Sequence, residues 1–258
     1  MEINLSEEAK DFLVCAYFGM SYNTYQSNIE KDKVVYCAQR AYLDLSRTLD
    51  YTYSSMELEK KKKDAHYQEY MKLKDDFKKK VYELLAKEIK SNMFFANQED
   101  FNIWHAQICK SIIQEIANGV CLDGDIYLFK GAKDGKAMTY GQAQKWLNMT
   151  LKYLWILGFW TDNNIKNVLH VPVDSYIMEA TSKLKTEVKI PYAKIEGAGR
   201  YKESKSKKWS AWEKEEYFEF QRTLKIALEN KVPIVWENSA WIRVSEERAK
   251  REAEKNRK

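Results

Sequence analysis

One run of residues constrains this chain more than any other, Gly141 to Leu157, GQAQKWLNMTLKYLWIL. At 100° per residue, Trp146, Leu147, Met149, Thr150, Leu151, Tyr153, Leu154, Trp155 and Leu157 sweep round most of a helical wheel. They leave a narrow polar stripe of Gly141, Lys145, Asn148 and Lys152. A helix that apolar belongs at the centre of a fold. Its start is marked by Thr139-Tyr-Gly-Gln142, a capping-box pattern, and its end by Gly158. Downstream, His170-Val-Pro-Val-Asp174-Ser predicts a second helix through Tyr176, Ile177 and Met178, with Pro172 and Asp174 at its start.

Nine Gly and three Pro in 258 residues are too few for the many tight turns of a sandwich, a barrel or a doubly wound sheet. The expected class is mainly α, a multi-helix globular domain with a long N-terminal helical region and little or no sheet. Ser6 opens a first helix with Phe12, Leu13, Ala16 and Tyr17 spaced for one buried face. A second covers Ile29 to about Leu49, with Val34, Cys37, Ala38, Ala41, Leu45 and Leu49 facing inward. A long, charged third helix is predicted from Ser54 or Ser55 to Lys90, its Glu57 to Glu69 half nearly free of apolar residues. A fourth runs from Asn97 to Asn118-Gly119. Leu122 to Phe129 is the best candidate for a hairpin. Ser210-Ala-Trp-Glu213 predicts another capped helix, and Pro233 a short one carrying Trp236 and Trp241. These elements suggest an N-terminal helical region over 1–95, a helical core over 96–245 and a charged tail over 246–258, with Ser245 to Lys258 a frayed helix or a tail.

Cys15, Cys37 and Cys109 sit within apolar helical patterns and read as reduced core residues; with Cys121 they form no CxxC pair. His105, Cys109 and Cys121 lack a fourth ligand and match no zinc spacing, so neither metal nor cofactor is expected. There is no stretch of the roughly 20 apolar residues that span a bilayer and no leader-like N-terminus, which predicts a cytoplasmic protein without a membrane contact.

Charge is unevenly spread. Residues 1–59 carry five Lys or Arg against ten Asp or Glu, residues 60–90 eleven against six, and residues 183–208 nine against three. The two basic segments predict a polyanionic partner, nucleic acid and DNA before RNA, or else a solvated surface. Lys60, Lys61, Lys62 and Lys63 are the first candidate phosphate contacts; Arg200, Lys202, Lys205, Lys207 and Lys208 are the second. Tyr201 and Trp209 interleave with the latter as candidate base-stacking side chains.

No Gly-rich phosphate loop, HExxH or GxSxG is present. What remains is a lysine on the nearly apolar helix and an aspartate at the start of the next one. A buried amine is a nucleophile able to form a Schiff base, and a nearby carboxylate stabilises positive charge developing on a sugar. At Lys145 in Gly141-Gln-Ala-Gln-Lys-Trp146 and Asp174 in Val171-Pro-Val-Asp-Ser175, the sequence resembles the helix-hairpin-helix DNA glycosylases over residues 139–182. Here the lysine and aspartate lie farther apart in sequence than in that family. The resemblance implies excision of a base from DNA, with Lys145 and Asp174 as catalytic residues. The alternative is a non-enzymatic interaction or inhibitor protein that docks a protein or polyanion through its long N-terminal helix. In that reading Lys145 lies on a solvent-facing stripe and Asp174 serves only as a cap.

Overall fold

The capping box forms as its residues require: the Gln142 amide donates to Thr139 Oγ1 at 3.2 Å and the Thr139 amide to Gln142 Oε1 at 2.9 Å. The computed structural model describes residues 6–21, 30–53, 65–118, 120–122, 126–192 and 206–256. In it the chain is mainly α. The helices in chain order are α1 (Glu7–Phe18), α2 (Glu30–Leu45), α3 (Ala65–Ser91), α4 (Gln98–Lys110), α5 (Tyr140–Ile156), α6 (Ser175–Thr181), α7 (Lys214–Ala227) and α8 (Pro233–Lys255). The one sheet among the described residues is a small antiparallel hairpin, β1 (Cys121–Leu122) with β2 (Ile126–Tyr127), where extended structure is expected.

Helix α5 is the centre of this arrangement, buried from Tyr140 to Leu151 without a break. Its Trp146 is fully buried, packs against Tyr42 of α2 and Phe77 and Tyr82 of α3, and donates from Nε1 to the Ala38 carbonyl at 2.9 Å. That bond gives the indole's one polar atom a partner in place of the water it loses on burial. The buried apolar cluster is continuous from Val34 of α2 to Ile234 of α8. At the N-terminus of α5 a short 3-10 turn, Trp209–Ala211, closes over the helix start. A Cβ built on Gly141 would stand 2.0 Å from the Trp209 carbonyl oxygen, and the Gly141 amide donates to Trp212 O at 2.9 Å. Only glycine permits so close an approach.

Several expectations are corrected. The face of α1 expected to be buried is open: Phe12 is 70 % exposed and Leu13 51 %. Cys15, on the same helix, is exposed rather than part of the core, whereas Cys37 and Cys109 are buried. The i, i+4 spacing does mark an amphipathic helix, but α1 reaches the body of the protein mainly through its C-terminal end, where Tyr17 and Phe18 meet Tyr153. Ser210 does not cap α7; Glu213 does, reciprocally with Glu216, one turn later, because Trp209–Ala211 is taken up by the turn against Gly141. Pro233 opens a long helix rather than a short one, running on to Lys255 through the residues expected as a tail. After α4, Ser111–Ala117 widens, with the Asn118 amide reaching Ile113 O at 3.1 Å, an i to i−5 bond that sequence does not signal. The half-helix Glu57–Glu69 falls largely outside the described residues. Among those described, no helix is long and apolar enough to cross a membrane.

Candidate active site

The polar stripe of α5 is where the apolar wheel leaves room for polar side chains, and the structure covers all of it. Gly141 takes the Trp209 turn; Lys145, Asn148 and Lys152 each find a polar partner on another helix. A solvent-facing Lys145 is therefore overturned. Its side chain is 5 % exposed and its Nζ lies 3.0 Å from Asp174 Oδ2, with Asp174 16 % exposed. Helices α6, α7 and α8 cover the face that a polar stripe alone would have assigned to water.

Asp174 divides its two oxygens. Oδ1 accepts from the Tyr176 and Ile177 amides at 2.9 and 3.0 Å, capping α6, while Oδ2 faces Lys145. The segment that delivers it, His170–Val173, is buried and pinned by glutamines. Gln221 of α7 holds both sides of Val171, donating to its carbonyl at 2.7 Å and accepting from its amide at 3.2 Å; Gln144 of α5 donates to Val173 O at 3.4 Å. Burial by itself would raise the Asp174 pKa, but the Lys145 charge and the amide hydrogen bonds outweigh it and hold the carboxyl below its ordinary value. The resting site is thus an ion pair, an ammonium against a carboxylate at the tip of a helix.

Two turns along α5 from Lys145, Lys152 forms a second pair with Glu237 of α8, which is 1 % exposed. Burial raises the Glu237 pKa despite Lys152, and the charges of Lys145 and Asp174 both reach it, so the two pairs make one electrostatic unit. Sequence reasoning missed Glu237 and α8's part in the site. Its only sequence trace is a carboxylate between apolar Trp236 and Ala240 on a helix with Ile234 and Val244 facing inward.

A neutral network lies beside the charged one. Asn148 donates to Gln144 Oε1 at 2.9 Å and to Tyr217 at 2.7 Å, and its Oδ1 lies 3.0 Å from His105 Nε2. With the amide so placed, His105 carries its proton on Nε2 and accepts from the Tyr140 hydroxyl at Nδ1, 3.1 Å away. Tyr217 in turn reaches His170 Nδ1 at 2.9 Å. Burial drives the His105 pKa down to about 3 and that of His170 well below its ordinary value, so both imidazoles stay neutral. Among the described residues no cluster of His, Cys, Asp or Glu is arranged to hold a metal ion.

Of the predicted nucleic-acid contacts, Lys60 to Lys63, Arg200, Lys202, Lys205 and the stacking candidate Tyr201 lie outside the described residues. Lys207 is bound to Glu216 at 2.7 Å and Lys208 is exposed. Trp209 is half-buried in the turn over Gly141, so its backbone is committed to packing. A groove of about 830 Å³ lies among α1, α2 and α3, lined by Tyr17, Arg40, Tyr42, Lys78 and Tyr82 among others, on the Trp146 side of α5. Lys145 points to α6. Neither a protein-family model, nor a curated protein, nor a solved structure matches this chain.

Proposed function

We propose that this protein binds DNA and excises a base through Lys145 and Asp174, as a glycosylase with lyase character. The observation that carries the reading is the 3.0 Å approach of Lys145 Nζ to a helix-capping carboxylate, a lysine otherwise shut away from water. An amine serving only solubility gains nothing from burial, which costs several kcal/mol per ion before pairing. In the reaction, Lys145 passes one ammonium proton to the departing base as the C1′–N glycosidic bond breaks, and its lone pair forms the new C1′–Nζ bond. A second Nζ proton goes to the ring oxygen as the sugar opens, leaving an iminium joined to Lys145. Asp174 offsets the positive charge that builds on the sugar, and two backbone amides hold its Oδ1 in place meanwhile.

Base release is the direct test. DNA duplexes carrying oxidised, deaminated or alkylated bases should lose the modified base to wild-type protein and keep it with Lys145→Ala. Release that persists undiminished in the variant would remove Lys145 from the chemistry.

A second reading, a helical module that docks a protein, is favoured by the open apolar face of α1, where Phe12 and Leu13 stand next to Tyr17. Phe12→Ser should then abolish partner capture, and the association should vary little with salt, whereas DNA binding should weaken steeply.

A further inference from the structure

The face of α8 that follows Glu237 carries an arrangement that the charged site does not use. Trp241 stacks on Tyr176 of α6, ring centroids 4.9 Å apart and 24° from parallel, and keeps 37 % of its surface exposed. Arg248 lies over the Tyr176 ring at 4.0 Å and donates to Ser175, at 3.2 Å to Oγ and 2.9 Å to the carbonyl. Arg248 and Arg251 both donate to one carboxylate, Glu179, at 2.8 and 2.5 Å. This cluster adjoins the candidate active site through the backbone: the Tyr176 amide is one of the two that hold Asp174 Oδ1. The packing that joins α8 to α6 here is a small apolar cluster, Ala180, Ala240 and Val244, with Tyr176 and Trp236 against it. Tyr176 belongs to that cluster, whereas the Trp241 indole lies outside it and remains partly open.

Two stacked rings with an open indole, flanked by guanidiniums, match the chemistry of an unpaired nucleic-acid strand. Every base offers a π face, but in a duplex both faces are already stacked, so the platform is open only to a base outside the helix. Arginine supplies a planar donor fork for the adjoining phosphates. A base-excising enzyme creates such an unpaired stretch whenever it draws its target out of the stack. We infer that Trp241 and Tyr176, with Arg248 and Arg251, form the surface on which single-stranded DNA next to the target nucleotide is held. The inference rests on the base-excision reading for its purpose but not for its chemistry. Glu179 is then the anion a phosphate must displace, and it sets how tightly the strand is held.

Fluorescence anisotropy of a labelled oligothymidylate with the full chain tests this. Trp241→Ala should weaken binding about tenfold, the scale of one lost base stack, and Trp241→Phe should recover most of it. Arg251→Ala should reduce the dependence of log affinity on log salt by about one. Glu179→Gln, which removes the charge of the carboxylate that both guanidiniums share, should tighten binding by roughly threefold or more, an effect that loss of packing alone would not produce. Affinity within twofold of wild type in both Trp241→Ala and Glu179→Gln, or no oligothymidylate binding by the wild type, overturns the surface. Base release without Trp241-dependent binding removes the surface and leaves the enzyme. Trp241-dependent binding without base release does the reverse.

Discussion

Two polar clusters hang from the same helix, one turn apart, and the protein keeps them in opposite electrical states. At Asn148, α5 enters a buried network of His105, Tyr140, Gln144, His170 and Tyr217, every member neutral and each hydrogen bond made between uncharged groups. At Lys145 and Lys152 it meets carboxylates and forms ion pairs. The difference follows from what each group faces. The imidazoles are buried among uncharged hydrogen-bond partners and give up their protons, whereas at Asp174 the Lys145 charge and two amides on one oxygen outweigh burial and keep the carboxyl ionised. A neutral network can only hold helices together. An ammonium beside a carboxylate can also exchange a proton, which is why the chemistry we propose involves Lys145 rather than the histidines.

Acid should break the contrast most strongly. An unfolded histidine binds a proton near pH 6.5, but His105 in the fold does so only at about 3. Between those values the unfolded chain holds more protons, so stability falls as pH drops, by about 1.4 kcal/mol for each pH unit crossed and on the order of 5 kcal/mol for His105 in full. His170 adds to the loss. Asp174, lowered in the fold, contributes stability present above its ordinary value and lost as pH falls through its folded one, whereas Glu237, raised, contributes in the opposite sense and recovers part of it. Urea unfolding from pH 7 down to 4 should therefore show a falling midpoint that begins near pH 6.5, the ordinary value of a histidine. A flat profile down to about pH 5 would mean the imidazoles are not buried as described.

Stranding a charge comes next. Glu237→Ala leaves Lys152 among α5 and α8 with no carboxylate and should cost about 3–5 kcal/mol of unfolding free energy. Glu237→Gln should cost less, because the amide still accepts a hydrogen bond from Lys152. Equal losses in the two variants would show that packing at position 237 matters and charge does not.

Tyr217→Phe sharpens the comparison from the neutral side. It removes the hydroxyl shared by Asn148 and His170 and should cost about 1–3 kcal/mol without altering DNA binding. If the variant loses base release while staying folded, the neutral network takes part in the chemistry after all.

The charged pair is legible from sequence because each member is marked locally, Lys145 by the gap in an apolar wheel and Asp174 by the capping position after Pro172. The helical class is legible for the same reason, since periodicity is a local signal. What covers the stripe is not. Glu237 and the Gln221 clamp on Val171 lie far along the chain from the residues they serve, and nothing in their own neighbourhoods announces a partner. The exposed face of α1 fails for the converse reason: an apolar period states that a face can be buried, and only tertiary packing decides whether it is. Trp209 stands out in the sequence ahead of Trp241 because it sits among lysines; in the fold its backbone makes the turn over Gly141 and its side chain is half-buried.

If Lys145 is a nucleophile held by Asp174, borohydride should trap it on damaged-base DNA, and peptide mass spectrometry should map the adduct. A covalent adduct on Lys145 is expected with wild-type protein, none with Lys145→Ala, and a much reduced yield with Asp174→Asn, which keeps the helix cap but removes the charge. An adduct on another lysine, or one whose yield is unchanged in Lys145→Ala, would contradict that role.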